Sequence, residues 1–331
     1  MRIDALQCSR WDREVFEELR DGSLDCVVVT AAFWENAEET LESIGRWRDL
    51  VGAHSDLVAL ATSVEEVERI SGSGRTALVL GFQNTSSFDD SIRLVELFAL
   101  LGVRVVQLTY NIQNAVGGSC YEALDSGLTR FGAEVVDELN RCGVLIDLSH
   151  VGPRTSLEAI ERSRQPVAVT HAVPADFHPH PRNKSSELLR ALAARGGMLG
   201  CAIYSPLIGG AEVTIERWSE MVARAVELMG VEGVGIGTDM TRKCTDADLA
   251  WMRNGSWTRR EDPGAGRPGD TSMPSWPAWY PTPRSFPSLG VALSDRGFTP
   301  EEVDLILGGN WRRLLDGVWS SATAGRSAAT A

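Results

Sequence analysis

Three short apolar runs lead into residues able to do chemistry: VLIDLS into His150, VAVT into His171 and GVGIGT into Asp239. Neutral imidazole is the commonest protein ligand for divalent metals. A carboxylate beside such an ion either joins its ligands or takes a proton from its water. Each residue also has a plainer reading. Either histidine alone reads as a hydrogen-bonded strand end, and Asp239 as a cap on the following loop; the three together read as one site. Arg182, in FHPHPRN, suits bidentate capture of a substrate carboxylate, with a surface salt bridge as the alternative. His178 and His180 share that proline-broken stretch, which does not align their rings, and they read as structural or surface residues. His54 lies in a polar turn and reads as solvated.

The elements that must position these residues follow from the apolar pattern. Short β-branched runs, each followed by an amphipathic helical stretch, signal a parallel sheet with crossover helices. Eight such runs occur, at 3–8, 25–31, 76–82, 104–109, 144–149, 167–171, 198–203 and 234–239. Their number predicts a single-domain α/β protein, a closed (β/α)8 TIM barrel, with an open sheet as the alternative. A ninth run, 56–62, reads as an extra segment between the second and third strands.

In such a barrel the chemistry gathers at the C-terminal strand ends. Those ends deliver Gln7 and Cys8, Gln83, Tyr110 and Asn111, His150, His171, Tyr204, and Asp239. One intervening helix can be read closely: Ser87 or Asp89 as its cap, Ile92, Val95, Leu97, Phe98 and Leu101 as its core stripe, and Gly102 as its left-handed stop.

Residues 240–287 break the pattern, with seven prolines, four tryptophans and no sustained period. Such a loop after the last strand can cover the site, form a dimer contact or pack outside the barrel. One or two helices at 299–316 close the domain, whose boundary is placed at 318, and the Ala/Ser-rich tail at 319–331 is expected to be disordered.

Composition narrows the partners. With 45 acidic and 32 basic residues the formal charge is −13, which repels nucleic-acid phosphates and anionic membranes. The charged N-terminal stretch reads neither as a signal peptide nor as a membrane span, so the expected location is the cytoplasm. Six scattered cysteines lack metal-knuckle spacing and most read as buried thiols.

The segments GLTRFGAEVVDELNRCGVLIDLSH, PVAVTHA, HPRN, GVGIGTDM and LILGGNWRRLL closely resemble the membrane (renal-type) dipeptidases, peptidase family M19 of the amidohydrolase superfamily. The likeness runs in order along nearly the whole chain. It implies a (β/α)8 metallohydrolase with two zinc ions that cleaves dipeptides, often with a D-residue at the C-terminal position, and commonly a homodimer. By motif, His150 and His171 match the two histidines of one metal site, Asp239 the aspartate after the last strand, and Arg182 the substrate-carboxylate arginine. Tyr204 lies near a substrate contact on the seventh strand.

The chain departs from the pattern elsewhere. Leu6, Gln7 and Cys8 stand where the family has His-x-Asp, Gln83 replaces the bridging glutamate, and Tyr110 stands where the renal enzyme has a substrate-polarising histidine. A neutral amide is a weak substitute for a bridging carboxylate. The first-strand site keeps only Asp239, unless Cys8 turns in as a thiolate. The expectation is therefore one zinc or other divalent ion at most, on His150 and His171 with weak help from Gln83. Asp239 is the expected base, and Arg182, Tyr110, Asn111 and Tyr204 are the expected contacts to a small substrate carrying a carboxylate. Three functions stay open: a one-metal, dipeptidase-like amide hydrolase; a reassigned enzyme, such as a cyclic-amide hydrolase or a lyase; and a non-catalytic metabolite-binding relative.

Overall fold

The computed structural model describes residues 1–259 and 271–328, with side chains to residue 321. Nine strands form one parallel sheet: β1 (Ile3–Gln7), β2 (Cys26–Ala32), β3 (Val58–Leu60), β4 (Thr76–Phe82), β5 (Val103–Gln107), β6 (Leu145–Asp147), β7 (Ala168–Ala172), β8 (Met198–Cys201) and β9 (Val234–Ile236). The order round the ring is β1-β2-β4-β5-β6-β7-β8-β9. Three backbone bonds close it: the Asp239 amide donates to Leu6 O at 3.1 Å, the Cys8 amide to Met240 O at 2.9 Å and the Arg10 amide to Arg242 O at 2.9 Å. The expected eight-stranded barrel is present, and the ninth run is indeed an extra strand. β3 pairs the first half of β4, whose second half pairs β5 on the ring path.

Alternation of the side chains divides the core in two. Val27, Val29, Leu78, Leu80, Ile146, Leu199 and Ile236 face the surrounding helices. Ala5, Val28, Val79, Val105, Leu145, Ala168 and Met198 belong to a second cluster, which Trp311 from the C-terminal helix also joins. Trp311 is 1% exposed and its indole donates to Ile236 O at 2.9 Å. Glycine is required around it. A Cβ on Gly235 would lie 2.3 Å from the Trp311 indole nitrogen, and one on Gly200 only 1.9 Å from Thr170 O.

Two readings need correction. The helix near residue 93 spans Arg93–Leu100 with no side-chain cap: Asp89 instead accepts from the Ala37 amide, and Ser87 bonds Thr40. Leu97 is 53% exposed because the buried face runs through Val95, Phe98 and Ala99; Gly102 does take the left-handed conformation, with φ 105°. At the end of the chain, a helix runs Asn310–Ala328, so the boundary expected at 318 falls inside a helix. Burial explains this: Val318 and Trp319 pack into the lower core, and the Trp319 indole donates to Arg104 O. The last three positions of the expected tail lie outside the described residues.

Candidate active site

The site is assembled at the C-terminal mouth. His171 lies within β7, Cys8 and Gln83 directly follow β1 and β4, and His150, Tyr110, Asn111, Tyr204 and Asp239 stand a few residues past β6, β5, β8 and β9. Cys8, Tyr110, Asn111, His150, Arg182, Tyr204 and Asp239 line one buried cavity of about 40 Å³. His171 adjoins it, its ring centroid 5.3 Å from that of His150.

Two buried carboxylates stitch neighbouring strands beneath this cavity. Asp4 on β1 accepts from the amide and hydroxyl of Thr238 at 2.8 and 2.6 Å, tying β1 to the end of β9. Asp147 on β6 does the same for β7, accepting from the Thr170 amide and hydroxyl at 2.9 and 2.7 Å and from the Ser149 amide and hydroxyl at 3.0 and 2.6 Å. Both hydroxyl protons are then spent on Asp147. At 2.8 Å from His171 Nδ1, Thr170 Oγ1 can only accept. His171 therefore carries its proton on Nδ1, and its Nε2 lone pair is buried and unpartnered among the described residues.

His150 is held differently. Its Nδ1 is 2.7 Å from Asn111 Oδ1, and the Tyr110 ring lies 4.2 Å from its own. Since an amide oxygen only accepts, Nδ1 of His150 is the donor and Nε2 is the lone-pair nitrogen. Burial, then the Arg182 guanidinium, push both imidazole pKa values well below the usual range, so both rings are neutral.

Asp239 adopts φ 62°, a left-handed conformation uncommon outside glycine. Burial raises its pKa to about 7; Arg182 opposes that rise, and Asp4 and Asp147 add to it. The Cys8 thiol donates to Asp239 Oδ1 at 3.9 Å. Burial, reinforced by Asp239, pushes the thiol pKa well above its ordinary value, which favours thiol over thiolate. The Gln83 amide donates to Thr30 Oγ1 at 2.9 Å and also contacts Cys8, so it turns toward β1 and β2.

Arg182 is 1% exposed, which removes the surface salt bridge. Its guanidinium donates to Ser149 O at 3.3 Å and His171 O at 3.2 Å, placing it over β6 and β7. His180 has a structural contact, accepting from the Arg182 amide. His54 is half-buried against Phe16 rather than solvated.

Residues that the sequence reading missed complete the site. Thr241, Leu249, Met252 and Arg253 line the cavity, the last three from one face of the helix Asp246–Asn254. Arg253 hydrogen-bonds Tyr204. This part of the long loop thus covers the mouth, while Trp279 packs against Trp218 outside; positions 260–270 lie outside the described residues. Lys184 is buried, donating to Val151 O at 3.0 Å. Thr170 and Asp147 had a signal in the strings DLSH and VTH; the covering helix, in an aperiodic stretch, had none.

Donor chemistry can now be tested against a metal. Among the described residues no three His, Cys, Asp or Glu side chains come together to hold an ion. A two-ion centre does not fit. Two neutral imidazoles, one with an orphaned Nε2, fit a single ion held by fewer than the usual three protein ligands.

Comparisons with known proteins give the family and the fold. The family described as membrane dipeptidase (peptidase family M19) matches residues 7–249. Dipeptidase verJ of Clonostachys rogersoniana is 30% identical over 213 residues, 64% of this chain and 55% of that protein. The chain spans 55%, 50% and 59% of the lengths of three curated relatives. An amidohydrolase from Pseudomonas aeruginosa has the same fold, with a TM-score of 0.92 and 36% identity over 97% of both chains. A metallopeptidase from Rhodobacter sphaeroides, solved with a phosphinate mimic of L-Ala-D-Ala, shares the fold with a TM-score of 0.77 and 16% identity, covering 96% of this chain and 100% of that one.

Proposed function

The chain belongs to the membrane dipeptidase family, peptidase family M19, and from that premise we propose that it hydrolyses an amide bond in a dipeptide or similar small carboxylate, using one metal ion rather than two. The observation that carries this reading is the convergence of His150, Arg182 and Asp239 on one buried cavity, with His171 beside it.

Arg182 anchors the substrate carboxylate, since a buried guanidinium offers paired donors to just such a group. That anchor fixes the amide beneath the lone-pair nitrogens of His150 and His171. Asp239, with a pKa near neutrality, accepts the proton of the attacking water at its carboxylate. Tyr110, Asn111 and Tyr204 bound the substrate, and Asn111 holds the His150 ring in place. A divalent cation such as zinc, when bound by His150 and His171, supplies Lewis acidity toward the carbonyl. Gln83 and Cys8, turned toward each other, add little to its binding. A homodimer and a cytoplasmic location complete the proposal, the first from the family and the second from the sequence.

A panel of dipeptides with D- and L-residues at the C-terminal position, given to zinc- and manganese-loaded protein, tests this. Activity should appear in the parent and disappear in His150→Ala and Asp239→Asn. Variants as active as the parent refute the assignment. Among the described residues no third ligand joins the two imidazoles, which favours one other reading, a reassigned enzyme such as a cyclic-amide hydrolase or a lyase on the same scaffold. Elemental analysis after loading separates the two: one ion per chain supports the hydrolase, none supports reassignment, and two contradict both.

A further inference from the structure

The cavity beneath Arg182 and Asp239, at about 40 Å³, has room for a few waters and no dipeptide. Beside it lies a second hollow of about 250 Å³, and Cys8 is in the wall of both. At Cys8 the partition is therefore one side chain thick, and beside it Phe33 of the second hollow packs edge-on against Tyr110 of the first at 5.3 Å.

Position in the ring gives this hollow a meaning. Its walls rise from the ends of β1 and β2 and from the helix Ala37–Ala53. Arg182 is bonded above β6 and β7, fifth and sixth round the ring from β1. In an eight-membered ring those are the strands directly across the mouth from β1 and β2. A substrate whose carboxylate sits on Arg182 must extend away from it, past the imidazoles, toward the hollow.

The lining sets what can enter. Trp11 and Trp47 meet at 5.6 Å, and Leu50 and Phe33 complete an apolar wall. The hydroxyls present are already engaged: Ser9 donates to Met240 O, Ser43 donates to Ala31 O, and Thr30 accepts from Gln83. The one charged group, Arg46, is exposed and sits 3.5 Å from Glu42. The interior therefore offers ring faces and few free polar partners.

We infer that this hollow is the side-chain pocket of the site, selecting an aromatic or bulky apolar side chain on the residue that supplies the scissile carbonyl. The inference rests on the dipeptide reading above. It also gives a role to Cys8, which forms the wall that the hollow shares with the cavity.

Titration calorimetry tests it with two probes, L-phenylalanyl-D-alanine and glycyl-D-alanine, on the full chain carrying Asp239→Asn to block turnover. Burying an aromatic side chain is worth enough that the first probe should bind about tenfold tighter or better. Adding Leu50→Trp, at a half-buried wall position, should erase that preference and leave glycyl-D-alanine affinity within about twofold. Trp47→Leu should weaken the first probe several-fold, with thermal melting as the check on folding. Equal affinity for the two probes, no binding of either, or a preference that Leu50→Trp leaves intact overturns the pocket. Selective binding by a parent that hydrolyses neither probe keeps the pocket and sinks the hydrolase. Hydrolysis of both without selectivity does the reverse.

Discussion

At the scale of single residues, two buried groups outside the mouth matter, one to its chemistry and one to the stability of the fold. Thr170 gives its hydroxyl proton to Asp147 and accepts from His171 Nδ1, which leaves Nε2 as the lone-pair nitrogen. Removing such a partner of a ligating histidine typically weakens metal binding about 10- to 100-fold. Thr170→Val should therefore lose that much affinity for zinc, and nitrogen NMR should show His171 as a mixture of tautomers. Thr170→Ser, which keeps the hydroxyl, should restore both; a single Nδ1–H tautomer in the valine variant would rule out the relay. Lys184 acts through stability. Burial pushes its pKa from 10.5 down to about 8. Between those values the unfolded chain holds a proton that the folded chain has released. Stability thus rises with pH through that window, and the penalty is complete below about pH 8. Compared by urea unfolding at pH 7 and pH 10, the parent should gain roughly 2–3 kcal/mol relative to Lys184→Met. A difference that stays flat would show that the amine is not desolvated as the fold implies.

At the scale of elements, the covering helix Asp246–Asn254 is the part that must move for a dipeptide to enter, because Leu249, Met252 and Arg253 close the cavity. Its ends are fastened unequally. Thr245 and Asp248 form a capping box at the start, whereas at the finish the Trp34 indole donates to Trp251 O at 3.0 Å and Met252 O at 3.3 Å. Trp34→Phe removes those two bonds and keeps an aromatic ring against Gly255. With about 1 kcal/mol at stake, amide exchange across 246–254 should quicken by several-fold to about tenfold, while β-strand amides stay unchanged. Unaltered exchange there would mean that the indole does not hold the helix shut. The same elements show what the sequence could and could not reveal. Barrel strands such as β4, TALVLGF, are legible because a parallel strand buried on both faces is apolar throughout. The strand ends therefore place His150, His171 and Asp239 correctly by counting alone. The covering helix is illegible, since only one narrow face touches the barrel and its mates across the cavity are far away in sequence. Leu97 misleads for the opposite reason: an apolar residue at nearly the right spacing still lies off the buried arc.

At the scale of the whole molecule, the barrel has two ends with separate duties. The mouth gathers a neutral imidazole pair, a guanidinium and a carboxylate; the other end is closed by the C-terminal helix, with Trp311 driven among glycines at the barrel axis. In barrels of this type the bottom face carries stability and the top face carries chemistry. The separation can be measured. Trp311→Ala removes a 1%-exposed indole whose space the surrounding strands cannot refill, a loss of about 3–5 kcal/mol. Gly235→Ala should destabilise by the opposite mechanism, overpacking, because its methyl would meet that indole at 2.3 Å. Combining Gly235→Ala with Trp311→Phe, whose smaller ring leaves space for the methyl, should cost less than the sum of the two changes. Each variant should retain parental affinity for L-phenylalanyl-D-alanine at temperatures where it is folded. Thr170 links bottom to top: its carbonyl occupies the space that a Cβ on Gly200 or Gly237 would need, and its hydroxyl sets the His171 tautomer. If Trp311→Ala weakens probe binding while the fold persists, that link transmits, and the two ends are not independent.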